Sequence, residues 1–237
     1  MSKILKMKLQ ELNISISDRQ EEQFEQFYDL LIEWNKVMNL TGITEYEEVV
    51  EKHFVDSLSL VKAIEIDKIH SVIDIGTGAG FPGIPLKIAF PHLNITLLDS
   101  LNKRIRFLDT VIDRTGLKDI RTIHGRAEDY AKQKEYREMY DLCVSRAVAN
   151  LATLSEYCIP YIRIGGIFIS YKSGDVENEK EDSRNAAALL GGRIKDTVKF
   201  QLPGTDIGRS FVIIEKERQT AKRYPRKAGL PSKEPLK

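Results

Sequence analysis

Asp74-Ile75-Gly76-Thr77-Gly78-Ala79-Gly80-Phe81-Pro82-Gly83 is the stretch that decides the fold. It closes a short β-type run, residues 72–75, and opens a segment with helical spacing, residues 82–90. Glycines at 76, 78, 80 and 83 let the backbone enter left-handed turns and come close to a ligand. Outward from this loop, strand and helix patterns alternate. Strands are expected at 94–98, 120–123, 141–144 and 166–171, and helices at 102–115, 151–158 and 176–190. Such alternation specifies a parallel, doubly wound α/β sheet of Rossmann-like type. The end differs: the β runs 194–201 and 210–215 have only a Pro-Gly-containing loop between them, which predicts an antiparallel C-terminal hairpin.

Before the loop the chain reads as helical. Asp18 with Glu21 has the spacing of a capping box, and Phe24, Phe27, Leu30, Leu31, Trp34 and Met38 then recur at helical intervals. Asn39-Leu40-Thr41-Gly42 interrupts the pattern, and a second helical stretch is expected over 45–64. The expected organisation is an N-terminal helical extension (1–65), an α/β domain (66–216) and a basic tail (217–237). His53 and Asp56, three apart, share a helix face. They are expected either to bond each other or to order the extension against the glycine loop.

The 237 residues are 42% hydrophobic and 30% charged, enough apolar content for a sizeable core. No stretch approaches a membrane span and no secretory signal is present, so a cytoplasmic location is expected. Cys143 and Cys158 sit in apolar runs and are expected to be buried, reduced thiols. No metal-ligand spacing is found, so no metal is expected. Net charge is only +1, but residues 217–237 hold seven Lys/Arg against two Asp/Glu. Such a tail fits either a polyanionic partner or a solvated, disordered terminus.

The glycine loop contains two overlapping patterns. Gly78-x-Gly80-x-x-Gly83 matches the dinucleotide fingerprint. Asp74-x-Gly76-x-Gly78-x-Gly80 matches the acidic signature of class I methyltransferases. A pyrophosphate needs backbone N–H donors at the helix start, where Pro82 has none, and Asp74 would repel it. S-adenosylmethionine has no phosphate and carries a sulfonium, an ammonium and a carboxylate, which suit an acidic residue beside a close backbone. Asp99 ends the next strand nineteen residues after Gly80, where a carboxylate bonds ribose hydroxyls. After the third strand comes Gly125-Arg126-Ala127-Glu128-Asp129, a loop that in methyltransferases carries residues beside the adenine. S-adenosylmethionine is the expected cofactor.

Beyond these motifs, the chain resembles the bacterial glucose-inhibited division protein B family, the small-subunit rRNA methyltransferase G enzymes. The resemblance includes Trp34-Asn35-Lys36, Asn39-Leu40-Thr41, His53 with Asp56-Ser57, the loop itself, Leu98-Asp99-Ser100, and Lys103-Arg104 with Phe107-Leu108. It continues through Gly125–Glu128, Ser145-Arg146-Ala147, Tyr171-Lys172-Ser173-Gly174 and the tail from Arg223 to Gly229. It implies a class I methyltransferase fold and methylation of N7 of one guanine in the decoding-region loop of 16S rRNA. It also implies cofactor contacts at Gly76, Phe81, Ala127, Glu128 and Arg146. Relatives often carry leucine at position 81; Phe81 keeps an apolar wall there.

N7 already presents a lone pair, so no proton has to leave and no general base is expected; positioning carries the rate. Arg146, at the end of the fourth strand, is expected to orient the guanine through O6 or a flanking phosphate. The structural alternative is an ion pair with Asp141 or Glu128. Lys103, Arg104, Lys172, Arg223, Arg226 and Lys227 are candidates for RNA phosphates, with solvated surface as the alternative. The expected partner is 16S rRNA or the small ribosomal subunit, and the chain is expected to act as a monomer. Competing readings are a nucleotide-dependent oxidoreductase, a small-molecule methyltransferase and a non-catalytic RNA-binding assembly protein.

Overall fold

The computed structural model describes residues 2–146, 149–174 and 176–237; Ala147 of the Ser145-Arg146-Ala147 motif lies outside them. The chain begins with helices α1 (Ser2–Gln10) and α2 (Asp18–Met38). α1, which the periodicity reading missed, buries Leu5 and Leu9, one turn apart. The capping box of α2 starts one residue earlier than expected. The Ser17 hydroxyl accepts from the Gln20 N–H and the Gln20 side chain accepts from the Ser17 N–H, while Asp18 stays exposed in the first turn. Asn39, in the left-handed region at φ 49°, ends the helix.

The expected second helical stretch is one run of changing pitch. It comprises α3 (Tyr46–Val49), a π-helical segment (Val50–Val55), α4 (Asp56–Leu58) and a 3₁₀ turn (Ser59–Lys62). The wider π turn sits where His53 and Asp56 emerge, a common place for such a segment in functional regions.

The alternating units follow: β1 (Ser71–Ile75), α5 (Gly83–Ala89), β2 (Asn94–Asp99), α6 (Asn102–Thr115), β3 (Ile120–His124), α7 (Ala127–Tyr130), β4 (Tyr140–Arg146), α8 (Leu151–Cys158), β5 (Ile162–Ser173) and α9 (Glu177–Leu189). β6 (Gly192–Gln201), β7 (Gly208–Lys216) and a last turn, α10 (Leu230–Lys233), complete the chain. Among the described residues the strands form one seven-stranded sheet, ordered β3-β2-β1-β4-β5-β7-β6. The first five are mutually parallel. β7 pairs antiparallel with β6, as the hairpin reading predicts, and also inserts antiparallel between β6 and β5. Strand order reverses on either side of β1, and ligands of such sheets bind at the carboxyl ends beside that reversal.

Both faces of the sheet are covered, so β1 is buried on both sides: Val72 joins the core under the N-terminal helices, Ile73 and Ile75 the core under α8. The N-terminal helices therefore share a core with the sheet. Aromatic rings carry the contact: Phe54 lies 5.0 Å from Phe24 and 5.6 Å from Phe27, and Phe27 lies 5.2 Å from Phe81 of the glycine loop.

The loop after β1 turns through Gly76, Gly78 and Gly80 at φ 70°, 62° and 91°. Gly83 is needed for a different reason: a Cβ there would lie 2.2 Å from the Leu97 side chain and 3.0 Å from Asp74 Oδ2. Gly83→Ala is expected to cost about 1–3 kcal/mol through overpacking. The cost should appear as a lower urea midpoint at an unchanged slope.

Candidate active site

The glycine loop is braced from below. Asp74 Oδ2 accepts from the Thr77 hydroxyl at 2.7 Å and from the Gly83 N–H at 2.9 Å. The carboxyl is fully buried, and burial pushes it up to about 7; the Thr77 and Gly83 hydrogen bonds oppose the rise. Above the loop, Asp99 Oδ2 accepts from the Gly78 N–H at 3.0 Å and from Arg104 Nη1 at 3.2 Å, and Oδ1 accepts from the Leu101 N–H. The Gly76 and Thr77 N–H groups both donate to the Leu98 carbonyl. These donors are spent inside the protein, so they are not offered to a pyrophosphate.

A cavity of about 490 Å³ opens at this edge of the sheet. Of the expected cofactor residues, Gly76, Gly78, Phe81, Asp99, Ala127, Glu128 and Arg146 line it. Asp74 and Gly80 do not. The period of two along β1 turns Asp74 toward α5, where it holds the loop rather than facing the cavity. The cavity also takes in Leu40, Thr41, His53, Arg104 and Tyr157. Leu40 stands in the Asn39-Leu40-Thr41 motif but is not among the expected site residues, and Tyr157 carries no signal in the sequence.

Arg146 stands in the wall between this cavity and a second one of about 370 Å³, lined also by Lys52, Asp56, Tyr171, Lys172 and Arg209. His53 lines both as well. Neither expected ion-pair partner of Arg146 is used: Asp141 binds Arg163 and the N–H groups of His70 and Ser71. Arg146 Nη1 instead donates to Asp56 Oδ2 at 2.8 Å and to the Lys52 carbonyl at 3.2 Å. Asp56 Oδ1 accepts from Arg209 Nε at 2.9 Å. The expected His53–Asp56 bond is absent, because both Asp56 oxygens face guanidiniums. His53 meets the Thr41 hydroxyl at 2.8 Å and stacks on Phe81, centroids 4.5 Å apart. The Arg146 guanidinium lies 4.9 Å from the same ring, a cation–π distance.

The basic candidates scatter. Lys103, Arg223 and Lys227 are exposed. Arg104 is tied to Asp99, and Lys172 pairs with Glu179 at 2.7 Å at the rim of the second cavity. Arg226 turns inward onto the fully buried Glu156, so its guanidinium is committed within the protein. Cys143 and Cys158 are buried and unpaired, and burial pushes the Cys143 thiol up.

A family model described as rRNA small subunit methyltransferase G matches residues 20–207. The chain belongs to that family. It is 55% identical over 228 residues to the ribosomal RNA small subunit methyltransferase G of Lachnoclostridium phytofermentans, covering 96% of this chain and 94% of that one. It is 50% identical over 234 residues to the same enzyme of Clostridium botulinum (strain Loch Maree), covering 99% and 98%. Membership agrees with the resemblance carried by the motifs from Trp34 to the tail. Solved structures similar to it include a chain of a Haloferax volcanii complex between a methyltransferase activator and a methyltransferase. That match has a TM-score of 0.59 and 13% identity, covering 79% of this chain and 98% of that one. The S-adenosylmethionine-dependent methyltransferase SibL is similar at a TM-score of 0.50 and 17% identity, covering 65% and 52%. At these identities the structural likeness speaks for the fold, which is that of class I methyltransferases. No helix among the described residues is long and apolar enough to cross a membrane.

Burial, then the charge of Arg146, pushes the His53 ring down to about 3 from 6.5. The unfolded chain thus binds more protons than the folded protein between pH 6.5 and 3, so stability rises with pH there and is lost as pH falls. Asp74, raised to about 7, acts with the opposite sign, since the folded protein holds its proton where the unfolded chain releases it. His53→Gln should therefore lose less stability than the wild type on acidification across that window. Urea unfolding of both proteins, above and inside the window, reads the difference.

Proposed function

We propose that this chain transfers a methyl group from S-adenosylmethionine to N7 of a guanine in 16S rRNA. The observation that carries this reading is the pair of adjoining cavities at the carboxyl edge of the sheet, with Arg146 and His53 in their shared wall. The larger fits the cofactor by its chemistry. Phosphate-binding donors are spent, Asp99 Oδ1 keeps a lone pair for a ribose hydroxyl, and Phe81 and Leu40 supply apolar walls. Asp99 would hold the ribose, Ala127 and Glu128 the adenine edge, and Gly76 and Gly78 the amino-acid end. When bound, the cofactor supplies an electrophilic methyl on a sulfonium.

The second cavity suits the substrate guanine. Lys52, Lys172 and Arg209 at its lining, paired with Glu48, Glu179 and Asp56, would meet a phosphodiester by exchanging partners. Arg146, clamped by Asp56 and the Lys52 carbonyl, has its fork fixed before substrate arrives and would orient the base through O6. No proton has to be removed from N7, and the side chains here fit that requirement. His53 is held neutral by burial and the charge of Arg146, and its stack on Phe81 shapes the wall. Lys103, Arg223 and Lys227, exposed on the outside, would meet RNA phosphates. We read residues 66–216 as the methyltransferase domain, 1–65 as an extension that supplies part of its site, and 217–237 as the tail. The protein acts in the cytoplasm as a monomer, on 16S rRNA or the small ribosomal subunit.

Incubation with labelled S-adenosylmethionine and small-subunit rRNA lacking the modification should place label on a single guanine, mapped by chemical cleavage at 7-methylguanosine. Label on small molecules that survives ribonuclease, with none on rRNA, would replace this reading by the small-molecule one. Arg146→Lys keeps the charge but loses the fork, and is expected to lower kcat about 100-fold through misorientation. An unchanged single-turnover rate would remove Arg146 from its positioning role.

A further inference from the structure

The basic tail ends against the back of the cofactor cavity. After β7 it is caught twice by half-buried charge. Glu138 accepts from the Thr220 N–H at 2.7 Å, and Arg137 donates to the carbonyls of Thr220 at 2.7 Å and Tyr224 at 2.9 Å. The Tyr224 ring is buried beside α8. Arg226 then closes on Glu156 of α8, with Nε at 3.0 Å from both carboxylate oxygens, Nη2 at 2.7 Å from Oε2 and its backbone N–H at 2.7 Å from Oε1. Glu156 is fully buried, and Arg226 is its hydrogen-bonding partner among the described residues.

Three residues on, the Gly229 N–H donates to Glu128 Oε1 at 2.7 Å. Glu128 lines the cofactor cavity, and so does Tyr157, which follows Glu156 on α8. Thr153 of α8 donates to the Pro231 carbonyl at 3.0 Å. The tail thus lies as a strap over α7 and α8, and one of its amides holds a carboxylate of the cavity wall.

We propose that the C-terminal tail is a cofactor-affinity strap: Arg226, latched on Glu156, seats Gly229 on Glu128 and so completes the adenine side of the S-adenosylmethionine site. Arg226 is a positioning residue that acts through Glu128 and Tyr157, and touches neither cofactor nor RNA. The physical argument is the asymmetry of a buried ion pair. Without the guanidinium, Glu156 is left charged in an apolar surround, a state the chain escapes by releasing the strap to admit water. Gly229 then leaves Glu128, and the wall loses the hydrogen bond that orients it. Coupling between strap and cofactor is reciprocal, so cofactor binding must tighten the strap by the same factor by which the strap tightens cofactor binding. This inference rests on the reading of the larger cavity as the cofactor site.

The test uses the full chain with S-adenosylmethionine and S-adenosylhomocysteine as probes. Calorimetric titration of Arg226→Ala should show a Kd raised about tenfold at unchanged stoichiometry, with Arg226→Lys between it and the wild type. KM for the cofactor should rise likewise, while kcat at saturating cofactor stays put. A mere loss of folded protein would instead lower stoichiometry at constant Kd, and a lost RNA contact alone would raise KM for rRNA at constant cofactor Kd; either pattern overturns the proposal. If Arg226→Ala does not fold, hydrogen exchange on the wild type decides. S-adenosylhomocysteine should slow exchange of the Gly229 amide and its neighbours in the tail, and unaltered tail exchange under saturating ligand overturns the strap. A wild type that binds neither probe removes the cofactor reading itself, whereas a wild type and an Arg226→Ala that bind alike remove only the strap.

Discussion

One carboxylate, Asp56, joins the parts of the molecule that build the site. Its two oxygens face the guanidiniums of Arg146, at the end of β4, and Arg209, near the start of β7. The group is 3% exposed, so its desolvation is offset only because both oxygens are occupied. This junction pins the helical run 46–62 to the carboxyl edge of the sheet. With Asp56 fixed, His53 falls on Phe81, and Phe81 in turn meets Phe27 of α2. The wall between the two cavities is therefore made jointly by the extension and the sheet, and neither part would present it alone.

The two carboxylates at the strand ends divide the work beneath that wall. Asp74 is buried on one face of β1 and braces the loop through Thr77 and Gly83. Asp99, at the end of β2, faces the cavity and holds the loop from above through Gly78. The loop is gripped on both sides, and its three left-handed glycines are where the chain turns between the grips. A loop gripped in this way leaves little backbone to be ordered at the moment a ligand binds. The tail adds a further brace from the far side, and Arg226, one of its basic residues, is used inside the protein on Glu156.

Local pattern carried the regular elements and failed where pairing is distant. Residues 71–216 show their strands and helices, except the one-turn α7, because apolar periodicity is a property of neighbouring residues, and the β6–β7 hairpin is legible from the lack of a helix between them. α1 escaped because Leu5 and Leu9 span too little chain for a period to stand out. The cap of α2 slipped by one residue because Ser17 and Asp18 both suit the position, and Gln20 chooses Ser17. The pitch change at Val50–Val55 has no local signature. The inward turn of Arg226 is set by Glu156, seventy residues away, and no window of sequence contains both.

The sequence by itself determined the sheet, its glycine loop and the family. These follow from residue type and short spacing, which act within one strand–loop–helix unit. Only the tertiary structure decided that Asp56 holds Arg146, that Arg209 joins them from β7, that Asp74 braces the loop rather than facing the cavity, and that the tail lies on Glu128. Each is a contact between residues whose separation along the chain is erased by packing. Which of many matched charges pairs with which is set by the geometry of burial, and charge alone does not encode it.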